Sequence, residues 1–320
     1  MDTRTTDADV SVGRVRIPRR RRLQLLAYWL VLPAVAAELL IHIVPMLLGS
    51  WIAFTSLNQL NIRNWVQAPF VGIGNFIAGL SPDGPIGSEL YSAFFRTLVY
   101  VLIVLGCSWV LGMAGAVFLT SKVRGRAVLR TLFLVPYALP AYVGTIAWAF
   151  MFDQRDGVVN RLLVDDLHLL ADRPFWLIGD NAFIVLVVVS VWQMWPFAFL
   201  MLLAALQNVP DDVYEAAALD GASTWRRFTA VTLPMVRPAN TIMLLVMGLW
   251  LFNQFNVPFV LFGAGAPESA RLISPLIYEH SFVNWNFGLG SAMSVLLLIV
   301  LFLASVVYVR LVLPKGQDRA

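Results

Sequence analysis

Six stretches of this chain are apolar for too long to belong to a soluble fold. They run over residues 26–51, 97–120, 129–152, 182–206, 241–261 and 289–313. About 18 or more apolar residues suffice to cross a hydrocarbon core about 30 Å thick at roughly 1.5 Å per residue. Inside that core the backbone must pair with itself, either in a helix or round a closed barrel. A barrel would read as short alternating segments. These runs are continuous and rich in Leu, Val and Ala, so the expected class is all-α, a polytopic membrane protein with six transmembrane helices. Only 13% of the 320 residues are charged, against about a quarter in soluble domains.

The charges sort by connection. Arg14, Arg16 and Arg19 to Arg22 precede the first run. Lys122, Arg124, Arg126 and Arg130 lie at the second connection, Arg226, Arg227 and Arg237 in the fourth, and Lys315 and Arg319 in the tail. The third connection holds Asp153, Asp156, Asp165, Asp166, Asp172 and Asp180 against Arg155, Arg161 and Arg173. The positive-inside rule therefore puts both termini in the cytoplasm, and the even number of spans agrees. The N-terminal run is too long for a signal peptide. Its arginines read as an orientation anchor beside anionic lipid, not as a nucleic-acid-binding arm. The division expected is a basic tail over 1–22, a membrane domain over 23–313 and a short cytoplasmic tail over 314–320.

Residues 207–240 form a polar insert on the cytoplasmic face. Pro210-Asp211-Asp212 suits a helix start, with acids at the positive end of the dipole. A short helix is expected over 213–219, ended by Gly221. Ser223 should cap a second helix carrying Trp225 to Phe228, and Pro234 and Pro238 should steer the chain back into the bilayer. In the third run, Pro136 and Pro140 predict a bend or an opening. Residues 75–80 read as a short surface helix in the long first connection.

Polar side chains at mid-membrane depth turn toward protein or water, because lipid cannot satisfy them. Ser190, Gln193 and Phe197 fall on one helix face at i, i+3, i+7. Asn253, Gln254 and Asn256 lie late in the fifth run, between Phe252 and Phe255. Amides with aromatic rings suit a sugar, whose hydroxyls need partners and whose apolar faces stack on rings; amides also join helices to one another. Glu38 and His42 form an i,i+4 pair that reads as a proton relay or as a mutually satisfied structural pair. Trp51, Trp65, Trp250 and Trp285 read as interfacial or packing residues. The three histidines, His42, His168 and His280, are far apart and Cys107 is the single cysteine. No catalytic group or metal site is read, and no phosphate-binding G-x-x-x-x-G-K-[ST] loop is present.

The insert carries Glu215, Ala216, Ala217, then Asp220 and Gly221, then Val231, Leu233 and Pro234. That spacing resembles the E-A-A, three residues, G, nine residues, I, one residue, L-P signature of permease subunits in binding-protein-dependent ABC importers, with Val231 for the usual isoleucine. Stretches 70–76, 135–140, 152–160 and 286–292 are similar to the carbohydrate-uptake branch, in particular to the first of its two permeases. After the fifth run the chain departs from that branch's T-x-G-G-P turn, with Phe262-Gly263-Ala264-Gly265-Ala266-Pro267 in its place.

The resemblance implies the type I importer permease fold in a bacterial-type inner membrane. It implies a second permease subunit, an extracytoplasmic binding protein delivering a sugar, and two ATPase subunits that bind the ATP and Mg this chain does not. Residues 215–221, with Leu233 and Pro234, would form the coupling helix and its support, seated in an ATPase cleft, with Glu215 facing a basic group there. Ser190, Gln193, Phe197, Asn253, Gln254 and Asn256 are the candidate pathway residues. A permease for another solute and an ion-coupled secondary transporter are the alternatives; the latter is expected to show inverted repeats and several midplane acids.

Overall fold

A computed structural model describes residues 20–120 and 124–312. Most of the basic N-terminal tail, Lys122 and the tail from 314 lie outside the described residues. The chain divides into two compact units, Met1–Trp51 and Ile52–Ala320.

In the first unit the first span begins as helix Arg20–Glu38, passes through a π-helical turn Leu39–Ile43 and continues as Val44–Ile52. Pro45 explains the wide turn. It has no N–H to give the carbonyl four residues back, and one extra residue in the turn absorbs the misfit. Glu38 Oε2 and His42 Nδ1 are 3.0 Å apart.

In the second unit the second span is a 36-residue helix, Pro85–Thr120. It starts twelve residues before the apolar run because its polar outer end is partnered. Glu89 accepts from Arg271 at 2.6 Å and lies 3.2 Å from His280 Nε2. Arg96 pairs with Glu268 at 2.6 Å. The fourth and sixth spans are helices Asn181–Leu206 and Phe287–Val312, within two residues of their apolar runs where the chain is described. A short helix, Gly74–Leu80, lies in the first connection.

The third run is two helices, Arg126–Ala138 and Ala141–Met151, at 90° to each other. Leu139 between them is extended at φ −76°, ψ 140°, the conformation that the ring of Pro140 imposes on the residue before it. The expected bend is thus a full break. Among the described residues five helices are long and apolar enough to cross a membrane, and this pair supplies the sixth crossing if its arms count as one span.

The fifth span corrects the reading of Pro234 and Pro238. They do not interrupt the chain. Helix Thr224–Arg227 runs through a π-helical stretch, Phe228–Thr232, into helix Leu233–Phe252, and the π stretch again takes up the missing proline N–H. The real interruption is at 253–255, before helix Asn256–Phe262. Pro258 cannot donate to the carbonyl of Gln254, so the ladder restarts there.

Spans two and four make the central packing. Gly112 sits at their crossing, where a Cβ would lie 2.7 Å from both Ala198 Cβ and the Phe199 backbone nitrogen. Close approach of this kind is how membrane helices gain contact without a hydrophobic driving force. Met113, Ala116, Leu202 and Met243 bury round it. Gly112→Leu should cost about 3 kcal/mol or more, because backbone atoms cannot yield to the new side chain. The check is the midpoint of thermal unfolding of the purified chain in detergent. Gly106→Ala should leave it unchanged, since nothing lies within 4 Å of the added carbon.

The acid-rich third connection is locally ordered. Asp153 accepts from the backbone N–H groups of Asp156 and Arg155, each at 2.9 Å. These bonds hold its carboxyl below the usual carboxylate range. Buried Asn160 donates to the Gln154 and Pro174 carbonyls and accepts from Trp176 Nε1 at 2.7 Å.

Candidate functional site

The inner-face insert forms a small helical knob. Its first helix is Asp211–Leu219, two residues longer at the start than expected, with Asp211 and Asp212 in the first turn. Its end is a Schellman motif. The Ala222 N–H bonds the Ala217 carbonyl and the Gly221 N–H bonds the Ala218 carbonyl, each at 3.0 Å. Gly221 is left-handed at φ 73°, which that motif requires and which glycine adopts without strain. Ser223 Oγ then accepts from the Arg226 N–H at 3.3 Å and caps the next helix. Tyr214 Oη lies 3.2 Å from Thr232 Oγ1 and fastens the first helix to the π-helical stretch.

Glu215, Ala216 and Asp220 are exposed, as is Pro234; Ala217 and Leu233 are half-buried. Beside them Leu219 is 90% exposed and Trp225 73%. These two apolar side chains were not among the sequence candidates. An apolar residue directly before the helix-ending turn of a polar insert was the available signal.

The structure divides the six candidate pathway residues. Ser190 is fully buried and accepts from the Tyr100 hydroxyl at 2.8 Å. Gln254 is half-buried in the break of span five. Gln193 is buried, and its amide donates to the Ala141 carbonyl and to Thr145 Oγ1, each at 3.0 Å. It therefore straps span four to the restart of span three, where Gly144 lets Trp192 approach. Asn253 and Asn256 are exposed. Asn253 Nδ2 donates to the Leu249 carbonyl at 2.9 Å, and its oxygen makes no hydrogen bond among the described residues. The Asn256 side chain makes no hydrogen bond to the described residues.

Phe197 belongs to a cluster of three tilted rings from three spans. Its centroid lies 4.9 Å from Trp250 and 6.1 Å from Tyr137. Tyr137 is 48% exposed and Trp250 45%, so the cluster presents an aromatic face. Asn253 follows Trp250 by three residues. Tyr137 sits at the Pro136–Pro140 break and Trp250 near the break in span five. Each flank of the cluster thus lies close to a break in a helix. Trp250 had been read as a packing or interfacial residue; here it is half of the closest ring contact in this group.

Residues 108–315 match the family of binding-protein-dependent transport system inner membrane components. The chain belongs to that family. The permease is 31% identical over 287 residues to the trehalose/maltose transport system permease protein MalF of Thermococcus litoralis, covering 89% of this chain and 92% of the relative. It is 31% identical over 322 residues to the diacetylchitobiose uptake system permease protein DasB of Streptomyces coelicolor, covering 99% and 95%. Its fold matches a crystal structure of a bacterial ABC transporter involved in alginate import, with TM-score 0.77 at 19% identity, over 91% of this chain and 96% of that one. It is an inner-membrane transport protein with an importer permease fold.

Proposed function

We propose that this permease forms half of the pathway by which an ATP-driven importer takes up an oligosaccharide or a related sugar. The observation that carries the sugar class is the half-exposed ring cluster Tyr137–Phe197–Trp250, with Asn253 three residues after Trp250. Pyranose C–H faces are apolar and stack on rings, and their hydroxyls need donors and acceptors at the rim. The named substrates of the two similar permeases, trehalose or maltose and diacetylchitobiose, have this chemistry.

In this reading Asn253 and Asn256 offer the rim amides. Ser190 and Gln193 hold the helices that present the rings. A second permease subunit supplies the other half, and an extracytoplasmic binding protein delivers the solute. The knob over 211–225 sits in one of two ATPase subunits, with Glu215 toward a basic group and Leu219 and Trp225 against an apolar one. ATP and Mg belong to those subunits. Closure of the ATPases displaces the knob as a rigid body and changes which side of the membrane the pathway faces.

The test is reconstitution with the partner permease, the ATPase and the binding protein, followed by a solute screen. Trehalose, maltose and diacetylchitobiose are expected to include a solute that stimulates ATP hydrolysis; oligopeptides are not. Stimulation by a peptide and by none of the sugars would overturn the substrate class.

A further inference from the structure

The inner ends of spans two, three and four enclose a pocket of about 300 Å³ that the transport reading does not use. Leu119, Thr120, Arg126, Ala127, Arg130 and Gln207 line it. By the charge of its connection it lies at the cytoplasmic membrane face.

Its electrostatics are unbalanced. Arg126 and Arg130 are one helical turn apart on one face, and like charges at that spacing repel. Neither makes an ion pair or a hydrogen bond with the described residues. Arg126 also opens its helix, whose first turn has no acid, so a cation sits at the positive end of the dipole. The Gln207 side-chain amide is likewise without a hydrogen bond among the described residues. Two guanidinium groups and an amide, without partners among the described residues, therefore line one small volume. Leu119 and Ala127 add apolar lining to the same pocket.

We propose that this pocket holds the phosphodiester headgroup of an anionic phospholipid from the cytoplasmic leaflet. A guanidinium fork matches two phosphate oxygens at once. The apolar lining accepts the glycerol and the start of an acyl chain. Basic pockets between helices on the cytoplasmic side are where such headgroups are held. Gln207 lies four residues before the Asp211–Leu219 helix, so an occupied pocket steadies the base from which the knob projects. Free inorganic phosphate shares the chemistry of the fork but not of the apolar lining.

The test uses the full chain in detergent micelles, with lipid adducts counted by native mass spectrometry. The chain is expected to retain phosphatidylglycerol and to lose phosphatidylcholine. The pair Arg126→Gln and Arg130→Gln should lower the retained phosphatidylglycerol by about tenfold. Arg310→Gln, an exposed charge at the inner end of span six, should not lower it. If the glutamine pair does not fold, Arg126→Lys with Arg130→Lys keeps the charge and removes the fork, and a loss of about threefold is expected. The proposal is overturned if the substituted pair retains lipid at the wild-type level, if Arg310→Gln loses as much, or if both lipids bind equally. Displacement of the adduct by millimolar inorganic phosphate would overturn the lipid and leave a free-phosphate site.

Discussion

Trp250→Ala is expected to weaken sugar-stimulated uptake by about thirtyfold, the loss that follows from removing a central aromatic anchor worth about 2 kcal/mol. The ring lies 4.9 Å from Phe197 and has nearly half its surface free. The two ring planes are tilted by 55°. Trp250→Phe keeps a ring in place and should lose only a few-fold of that. Phe197→Ala should act on the same face, so the two losses should not add when combined. Residues that share a partner couple by about 0.5–3 kcal/mol. Binding of the ATPase should be untouched, because the Asp211–Leu219 helix is separate from the cluster. The measurement is the concentration of solute at half-maximal ATPase stimulation in the reconstituted importer. An unchanged value in the alanine variant would remove Trp250 from the pathway.

Gly221→Val should abolish uptake while the permease still inserts. A β-branched side chain at φ 73° opposes the left-handed turn by about 1–2 kcal/mol. No atom lies within 4 Å of the added carbon, so nothing clashes and the membrane domain is spared. What is lost is the turn that sets the first knob helix against the second. Gly221→Asn is the permissive comparison, since asparagine tolerates this backbone, and it should transport near the wild-type rate. Glu215→Lys should likewise stop uptake, by reversing the charge offered to the ATPase. Uptake and co-purification of the ATPase, measured side by side, decide it. Equal transport by the valine and asparagine variants would show that the turn carries no force.

What could be read from the sequence was what is local. The Ser223 cap and the Gly221 turn depend on neighbours within a few residues. The break at Leu139 follows from the ring of Pro140 alone. The helix of span two starts before its apolar run, and what partners Glu89 and Arg96 there is not local. Their partners, Arg271, His280 and Glu268, are more than 170 residues away. The ring cluster was hidden for the same reason. Tyr137, Phe197 and Trp250 lie on three helices, and which face each presents depends on how those helices rotate against one another. Gln193 shows the converse. Its polarity marked it correctly as turned inward, but only the placement of Ala141 and Thr145 shows what it grips.

The uninterrupted path from Thr224 to Phe252 has a mechanical consequence. Trp225 stands at one end of that rod and Trp250 near the other, about 38 Å away at 1.5 Å per residue. A tilt of about 5° at the inner end would sweep the outer end through about 3 Å, comparable to the thickness of a sugar ring. The π-helical stretch before Pro234 thus preserves a continuous crank where a kink would have dissipated the stroke. The phase between its ends is set by the number of residues between them, about 100° for each.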